Sequence, residues 1–212
     1  MYSDNSSLQC GPPNTTDSTD WSYVMRRDMQ EIIPGLFLGP YAAAMKSKKA
    51  CLQQHNITHI VCIRQSIEAN FIRPNFPDLF RYLVLDIADV STENIIQYIP
   101  QVRDFIDSCY DCGGKVLVHG NAGISRSATL VIGYIMEKYG LSYKNAYVYV
   151  QQRRFCINPN EGFSQQLIEY EPIYRARQCL DITDTTHTTG SMKRKCQFDT
   201  DDNKHSDSSM IT

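Results

Sequence analysis

The chain has 212 residues, of which 42% are hydrophobic, and its formal net charge is −2. This length and composition fit one globular domain with short tails, and the small charge gives no electrostatic case for binding nucleic acid or a membrane surface. The longest apolar window, residues 128–136, is too short to cross a bilayer, and the polar N-terminus does not resemble a secretion signal. We therefore expect a cytoplasmic and nuclear protein whose eight cysteines are reduced thiols.

Composition divides the chain into three regions. Residues 1–20 and 179–212 are rich in Ser, Thr and Asp and poor in apolar residues, which predicts two disordered tails around a domain at 21–178. In the second tail, Lys193, Arg194 and Lys195 form a basic cluster that fits either a nuclear address or a plain solvated segment.

Strands and helices alternate along the domain, which predicts an α/β fold with a central sheet flanked by helices. After a lead-in at 21–30, a hairpin is expected at 31–38 and short helices at 41–45 and 48–55. A loop is expected at 64–78. The later elements expected are strands at 57–63, 80–85 and 115–119, and helices at 94–112, 125–139, 142–153 and 161–177.

The most informative stretch is residues 116–127, VLVHGNAGISRS. It predicts a buried strand that ends at His119, a long apolar helix that begins at Ser125, and between them the tight loop Gly120, Asn121, Ala122, Gly123 and Ile124. Such a loop directs its backbone N–H groups at one point, and the positive end of the helix dipole adds to their attraction for an anion. The guanidinium of Arg126 can hold two phosphate oxygens through hydrogen bonds worth about 1.5–3 kcal/mol each. This stretch therefore predicts a phosphate-binding site.

The same stretch resembles the signature loop of the dual-specificity protein phosphatases, in which His-Cys is followed by five residues, an arginine, and a serine or threonine. His119, Gly123, Arg126 and Ser127 match, and Gly120 takes the place of the cysteine. The runs IIPGLFLGPY, THIVCIR and INPNEGFSQQL are also similar to the family. The resemblance implies the cysteine-phosphatase fold, in which the central sheet is mostly parallel.

The family forms a phosphocysteine intermediate, for which glycine has no side chain. The resemblance therefore implies a pseudophosphatase that binds phosphorylated Ser/Thr/Tyr signalling proteins, with MAP kinases as the class that the family commonly targets. It would act by shielding them, by competing with active phosphatases or by anchoring, as a monomer without metal or cofactor.

An aspartate some thirty residues before the cysteine protonates the leaving oxygen in active members of the family. Asp89 matches that position and Asp86 is the weaker candidate. Without a nucleophile we interpret Asp89 as vestigial, since acidic loop residues are commonly just solvated. His119 is expected to be buried and to support the loop, and the family role of Ser127, assisting the departing thiolate, is lost.

Two other interpretations stay open. An interaction scaffold would bind partners through its helices or tails and keep the loop as a vestige. A very weak phosphatase would use water or another side chain as nucleophile. A cysteine that replaced the missing nucleophile would need the six-residue offset to Arg126, which is lacking at Cys62, Cys109, Cys112 and Cys156. The single C-x-x-C also lacks the second ligand pair of a zinc site.

Overall fold

The computed structural model describes residues 11–13 and 21–188, with side chains as far as Gln178. The chain divides into a unit of residues 1–176 and a unit of residues 177–212. Most of both predicted tails, including the basic cluster at 193–195, lies outside the described residues. In the first tail, however, the carbonyl of Pro13 accepts hydrogen bonds from Tyr149 Oη (3.2 Å) and Arg153 Nη2 (2.9 Å). Residue 13 is therefore bound to the domain, although the composition predicts disorder there.

A five-stranded sheet forms the centre of the domain, in the order β1-β2-β5-β3-β4. Its strands are β1 (Gln30–Ile33), β2 (Leu36–Pro40), β3 (Ile57–Arg64), β4 (Arg81–Asp86) and β5 (Lys115–Gly120). β1 pairs antiparallel with β2, and the other neighbouring strands are parallel. The predicted mostly parallel sheet is confirmed.

Helices cover both faces of this sheet. In the described part of the chain the α-helices are α1 (Lys49–Gln54), α2 (Ile99–Asp111), α3 (Arg126–Tyr139), α4 (Tyr143–Arg153) and α5 (Glu161–Thr188). Short 3₁₀ turns lie at Tyr23–Arg27, Tyr41–Ala44, Lys46–Lys48, Ser66–Glu68 and Ile96–Tyr98.

Several predicted boundaries need correction. The helix expected from residue 94 begins at Ile99, because a 3₁₀ turn precedes it and Pro100 suits the first turn of an α-helix. The helix expected from Ser125 begins at Arg126, with Ser125 as its N-cap. The last helix continues to Thr188, past the predicted tail boundary at 179, since neither glycine nor proline follows Arg177 before Gly190.

The alternation of β5 divides the core between the two faces of the sheet. Val116 and Val118 pack in the larger hydrophobic cluster, with apolar residues of α2, α3 and α4, whereas Leu117 packs in a smaller cluster that includes Leu52 of α1. The buried strand β5 ends at Gly120, so the turn into α3 lies at the carboxyl edge of the parallel strands. That edge is where open α/β sheets commonly bind ligands.

Candidate phosphate-binding site

Residues 120–125, which we call the phosphate loop, connect β5 to α3 in a conformation that only glycine permits at one position. Gly123 has a φ of +70°, and a Cβ atom there would collide with the carbonyl group of Gly39. A side chain at 123 would therefore be excluded both by backbone conformation and by the close approach of β2.

The carbonyl groups of the phosphate loop all point outward to protein donors. The carbonyl of Asn121 accepts from Tyr41 N–H (3.0 Å), and that of Ile124 accepts from Asn158 N–H (2.9 Å). The carbonyls of Ala122 and Gly123 accept from a single arginine described below. In the part of the chain that the structure describes, the N–H groups of residues 121–125 have no protein acceptor. Outward carbonyls and unpaired N–H groups make a concave site for an anion.

Arg154 holds the outer side of this loop and was missed by the sequence analysis. Its side chain is completely buried, and it donates from Nε to the carbonyl of Gly123 (2.9 Å) and from Nη2 to that of Ala122 (3.1 Å). It also donates to the carbonyls of Arg26 (3.1 Å) and Asp28 (3.0 Å). These contacts join segments distant in sequence, and nothing in the run QQRR marks the last arginine for this task.

Arg126 lies in the pocket, only 7% exposed, with its guanidinium fixed by Glu68. Nη1 donates to Glu68 Oε2 (2.8 Å) and to the carbonyl of Ile87 (3.1 Å), and Nη2 donates to Glu68 Oε1 (3.3 Å). The carboxylate offsets the arginine's unfavourable position at a helix N-terminus. Because this two-point pairing sets the plane of the guanidinium, it prepares the side chain to bind a planar pair of phosphate oxygens.

Glu68 was also missed, because it lies in the segment predicted as loop and is distant in sequence from Arg126. Its carboxylate accepts from Gln65 N–H (2.6 Å) and from Asn121 Nδ2 (3.1 Å) as well as from Arg126. Burial by itself would raise the pKa of Glu68, but the hydrogen bonds from Arg126, Gln65 and Asn121 outweigh it and hold the pKa below its ordinary value. The residue is therefore an anion at neutral pH, oriented toward the phosphate loop.

Asp89 lies at the rim of the pocket in a set of contacts that fixes its carboxylate. Oδ1 accepts from Ser125 Oγ (2.7 Å) and Asn160 Nδ2 (2.9 Å), and Oδ2 is 3.6 Å from Arg126 Nε. The weaker candidate, Asp86, pairs with Arg64 (3.2 Å) and does not line the pocket. Of the two aspartates, Asp89 is the one that the structure brings to the loop.

Position 120 has no side chain, and an added Cβ atom would fit there tightly. Gly120 does not have a positive φ, and an added Cβ atom would lie 3.3 Å from Ser127 Oγ and 3.7 Å from the carbonyl of Ile63. The hydroxyl of Ser127 is buried and has no hydrogen-bond partner. A side chain at position 120 would therefore lie beside this hydroxyl.

His119 supports the loop from below in the neutral state. It is 1% exposed, and its Nδ1–H donates to the carbonyl of Gly120 (3.2 Å). Desolvation by burial lowers the pKa of His119 to about 4, despite the opposing effect of that hydrogen bond. An uncharged imidazole suits the buried underside of the loop, and His119 does not line the pocket, so it is not placed to attack phosphorus.

Among the residues whose side chains the structure describes, no cysteine lines the pocket to replace the missing one. Cys62 is buried in β3, and burial raises the pKa of its thiol to about 12, so it is not a thiolate at neutral pH. Cys109 is buried on α2 and Cys112 is exposed at the end of that helix. Among the described residues, no group of three or more His, Cys, Asp or Glu is placed to hold a metal ion.

The pocket formed by these residues has a volume of about 220 Å³ and is lined by Asp89 and by residues 120–127. It is smaller than the roughly 300–1,000 Å³ of pockets for drug-sized ligands, and its size suits a single phosphate group with its ester oxygen. The structure thus brings the whole predicted set together, with His119 below the loop.

Over the described residues, none of the helices combines the length and the apolar character that a membrane span needs.

Comparison with known proteins gives close relatives. The human protein named serine/threonine/tyrosine-interacting protein is 60% identical over 193 residues, which is 86% of each chain. The Dictyostelium discoideum protein named MAP kinase phosphatase with leucine-rich repeats protein 1 is 43% identical over 140 residues, or 66% of this chain and 16% of its own length.

Structural and family comparisons agree with these relatives. A crystal structure of human tyrosine phosphatase-like serine/threonine/tyrosine-interacting protein matches with a TM-score of 0.69 and 69% identity, covering 70% of this chain and 98% of the other. The family model described as dual specificity phosphatase, catalytic domain, matches residues 36–173. Taken with the loop, its arginine and the sheet that carries them, these matches show that the chain belongs to the dual-specificity phosphatase family.

Proposed function

We propose that this chain is a pseudophosphatase, a phosphatase-like domain that binds phosphorylated Ser/Thr/Tyr proteins and does not hydrolyse them. The observation that carries the proposal is a pocket in which the groups for holding phosphate are in place while the attacking group is absent. The N–H groups of residues 121–125 are unpaired, and Arg126 is oriented by Glu68. Position 120, where the attack would start, has no side chain.

The missing sulfur removes catalysis far more than it removes binding. Deleting the nucleophile of a well-studied serine protease costs about 10⁶ in turnover, and a comparable loss here leaves no practical activity. A thiolate would also repel the bound phosphate, since two unit charges about 4 Å apart repel by about 4 kcal/mol at an effective dielectric of 20, as an unscreened upper value. Gly120 carries no such charge, so the loop can hold its ligand without that cost.

The proposed partners are phosphorylated signalling proteins, with MAP kinases first among them. One relative's name states interaction with serine, threonine and tyrosine, and another relative is named a MAP kinase phosphatase. A protein that holds the phosphorylated residue would shield it, compete with active phosphatases for it, or anchor its bearer in the cytoplasm or nucleus. All three modes need only affinity for the phosphate and its surroundings.

The test is a titration of a phosphotyrosine peptide, with the unphosphorylated peptide as reference. Arg126→Ala is a poor probe, because it would leave Glu68 buried without its partner, which typically costs 3–5 kcal/mol of stability. Arg126→Lys keeps a positive charge beside Glu68 and loses the planar fork. The matched control is Arg103→Lys on α2, since Arg103 also pairs with a buried carboxylate, Glu137 (3.1 Å), but does not line the pocket.

We expect the phosphorylated peptide to bind the unmodified chain and Arg103→Lys equally well. Arg126→Lys should bind about tenfold to a hundredfold more weakly, corresponding to one lost charge-assisted hydrogen bond. Equal affinities for the phosphorylated and the unphosphorylated peptide would contradict the proposal and would move the search for partner contacts to the helical surface.

A further inference from the structure

Ser127 lies in the first turn of α3, and the described part of the chain gives its hydroxyl no partner. The residue is 1% exposed, and it lines the phosphate pocket together with Gly120. Its Oγ atom is buried and forms no hydrogen bond within residues 11–13 and 21–178. Buried hydroxyl groups are nearly always hydrogen-bonded, because an unpaired one gives up its bonds to water without compensation. The hydroxyl of Ser127 therefore needs a partner that these residues do not supply.

A neighbouring hydroxyl on the same helix shows which bond Ser127 lacks. Thr129 is fully buried, and its Oγ1 donates to the carbonyl of Ser125, four residues earlier (2.9 Å). The corresponding carbonyl for Ser127 is that of Gly123, which accepts instead from Arg154 Nε (2.9 Å). The hydrogen bond that a helical serine or threonine commonly makes to the preceding turn is thus present at Thr129 and missing at Ser127.

Glycine at position 120 leaves this hydroxyl uncovered on the side of the phosphate loop. A Cβ atom at that position would lie 3.3 Å from Ser127 Oγ, tighter than an ordinary van der Waals contact. The carbonyl oxygen of Ile63 is the other polar atom beside the same point, at 3.7 Å, and a carbonyl can only accept a hydrogen bond. Of these two groups, only the hydroxyl can donate to an anion. Rotation about the Cα–Cβ bond of Ser127 would turn the hydroxyl toward the ligand.

We propose that Ser127 is a ligand-binding residue, whose hydroxyl donates to an unesterified oxygen of the bound phosphate past the bare backbone of Gly120. This inference rests on the proposed function and adds a side-chain donor to it. The ligand class is a phosphate monoester, since its unesterified oxygens are charged acceptors. Glycine at position 120 then has two effects. It supplies no nucleophile, and it leaves the ligand access to a hydroxyl that any larger residue would cover.

The experiment is a double-mutant cycle in the full chain, with Ser127→Ala, Gly120→Ala and the two combined. Each variant is titrated with a phosphotyrosine peptide and with inorganic phosphate. Ser127→Ala removes the hydroxyl, and Gly120→Ala covers it. The matched control is Thr129→Val, which removes a buried hydroxyl that is bonded within α3 and does not line the pocket. The thermal midpoint of each variant without ligand is also measured, because a structural hydroxyl and a ligand-binding one differ there.

Ser127→Ala should bind both ligands about tenfold more weakly, which is about 1.4 kcal/mol. Its thermal midpoint should nevertheless rise by about 2–4 °C, because the substitution removes an unpaired buried hydroxyl. Gly120→Ala should also weaken binding about tenfold. In the Gly120→Ala background, Ser127→Ala should change the affinity less than twofold, since the hydroxyl is already covered. Thr129→Val should keep the affinity of the unmodified chain and show no rise in midpoint.

Other results would overturn the inference. Unchanged affinity in Ser127→Ala, with the unmodified chain still binding the phosphopeptide, would reject the role of the hydroxyl and leave the proposed function standing. A lower midpoint together with weaker binding would make Ser127 a structural residue of the loop. Losses from the two alanine substitutions that multiply would show that the hydroxyl does not act past position 120. An equal loss in Thr129→Val would assign the effect to α3 in general. Absence of binding of both ligands by the unmodified chain would reject the proposed function together with this inference.

Discussion

Restoring a sulfur at position 120 should turn the binding site into a working phosphatase. Gly120 does not have a positive φ, so Gly120→Cys introduces no backbone strain of the left-handed kind. The new Cβ atom would lie 3.3 Å from Ser127 Oγ, which is tight, but that hydroxyl has no partner to hold it and can rotate away. We expect a stability change within about 1 kcal/mol.

The chemical effect should be much larger than the structural one. The unpaired N–H groups of the loop and the guanidinium of Arg126 should lower the pKa of the new thiol into the range of about 3.5–7.5 found for reactive cysteines, so that it is ionised at neutral pH. Because a missing nucleophile costs about 10⁶ in turnover, hydrolysis should rise by several orders of magnitude.

The assay is hydrolysis of p-nitrophenyl phosphate, and Gly120→Ser is the matched control. Serine adds the same Cβ atom with a far weaker nucleophile, so it should fold and bind phosphate without turning it over. Asp89 accepts hydrogen bonds from Ser125 and Asn160, which hold its carboxylate as an acceptor and make it a poor proton donor. Alkyl phosphates depend more on a proton donor than aryl phosphates do, so they should react more slowly. A Gly120→Cys variant that folds and binds phosphate but shows no hydrolysis would refute the assigned geometry of the pocket.

Three further predictions concern the supporting residues. Glu68→Gln should lower the free energy of unfolding by about 3 kcal/mol, because Arg126 loses its buried counter-ion, and saturating phosphopeptide should restore part of this loss in urea denaturation. Arg154→Met should destabilise the chain by a similar amount, about 3 kcal/mol, and weaken phosphopeptide binding, since the carbonyls of the loop lose their donors; unchanged affinity in a folded variant would show that the loop holds its shape unaided. His119 has a folded pKa of about 4 against about 6.5 when unfolded, so the unfolded chain takes up the proton first as pH falls. His119 alone should therefore lower the free energy of unfolding by about 2 kcal/mol between pH 7.5 and pH 5, and His119→Gln should remove that contribution.

The features that could be predicted from sequence are those carried by short-range patterns. Val116–His119 alternates between the two faces of the sheet, and Gly123 and Arg126 occupy fixed positions in a compact motif. The family resemblance of that motif gave the mostly parallel sheet. Local patterns of this kind consist of residues that are close in sequence, so they can be recognised before the fold is known.

The features that could not be predicted depend on pairings over long sequence distances. Glu68 lies in a segment with no periodicity, and only the fold places its carboxylate against Arg126. Arg153 and Arg154 are adjacent, yet Arg153 donates to the carbonyl of Pro13, whereas Arg154 is buried against the outer side of the phosphate loop. Nothing local distinguishes two adjacent arginines whose surroundings are set by distant segments.

The central claim is that the site holds phosphate without consuming it, and one sample can test both halves. A fluorescent phosphotyrosine peptide would be titrated with the purified, unmodified chain by anisotropy, and the same samples would be analysed by mass spectrometry after prolonged incubation. We predict saturable binding that inorganic phosphate competes away, with the peptide recovered fully phosphorylated. Loss of phosphate that increases with the amount of unmodified chain and disappears in Arg126→Lys would contradict the account, as would the absence of saturable binding.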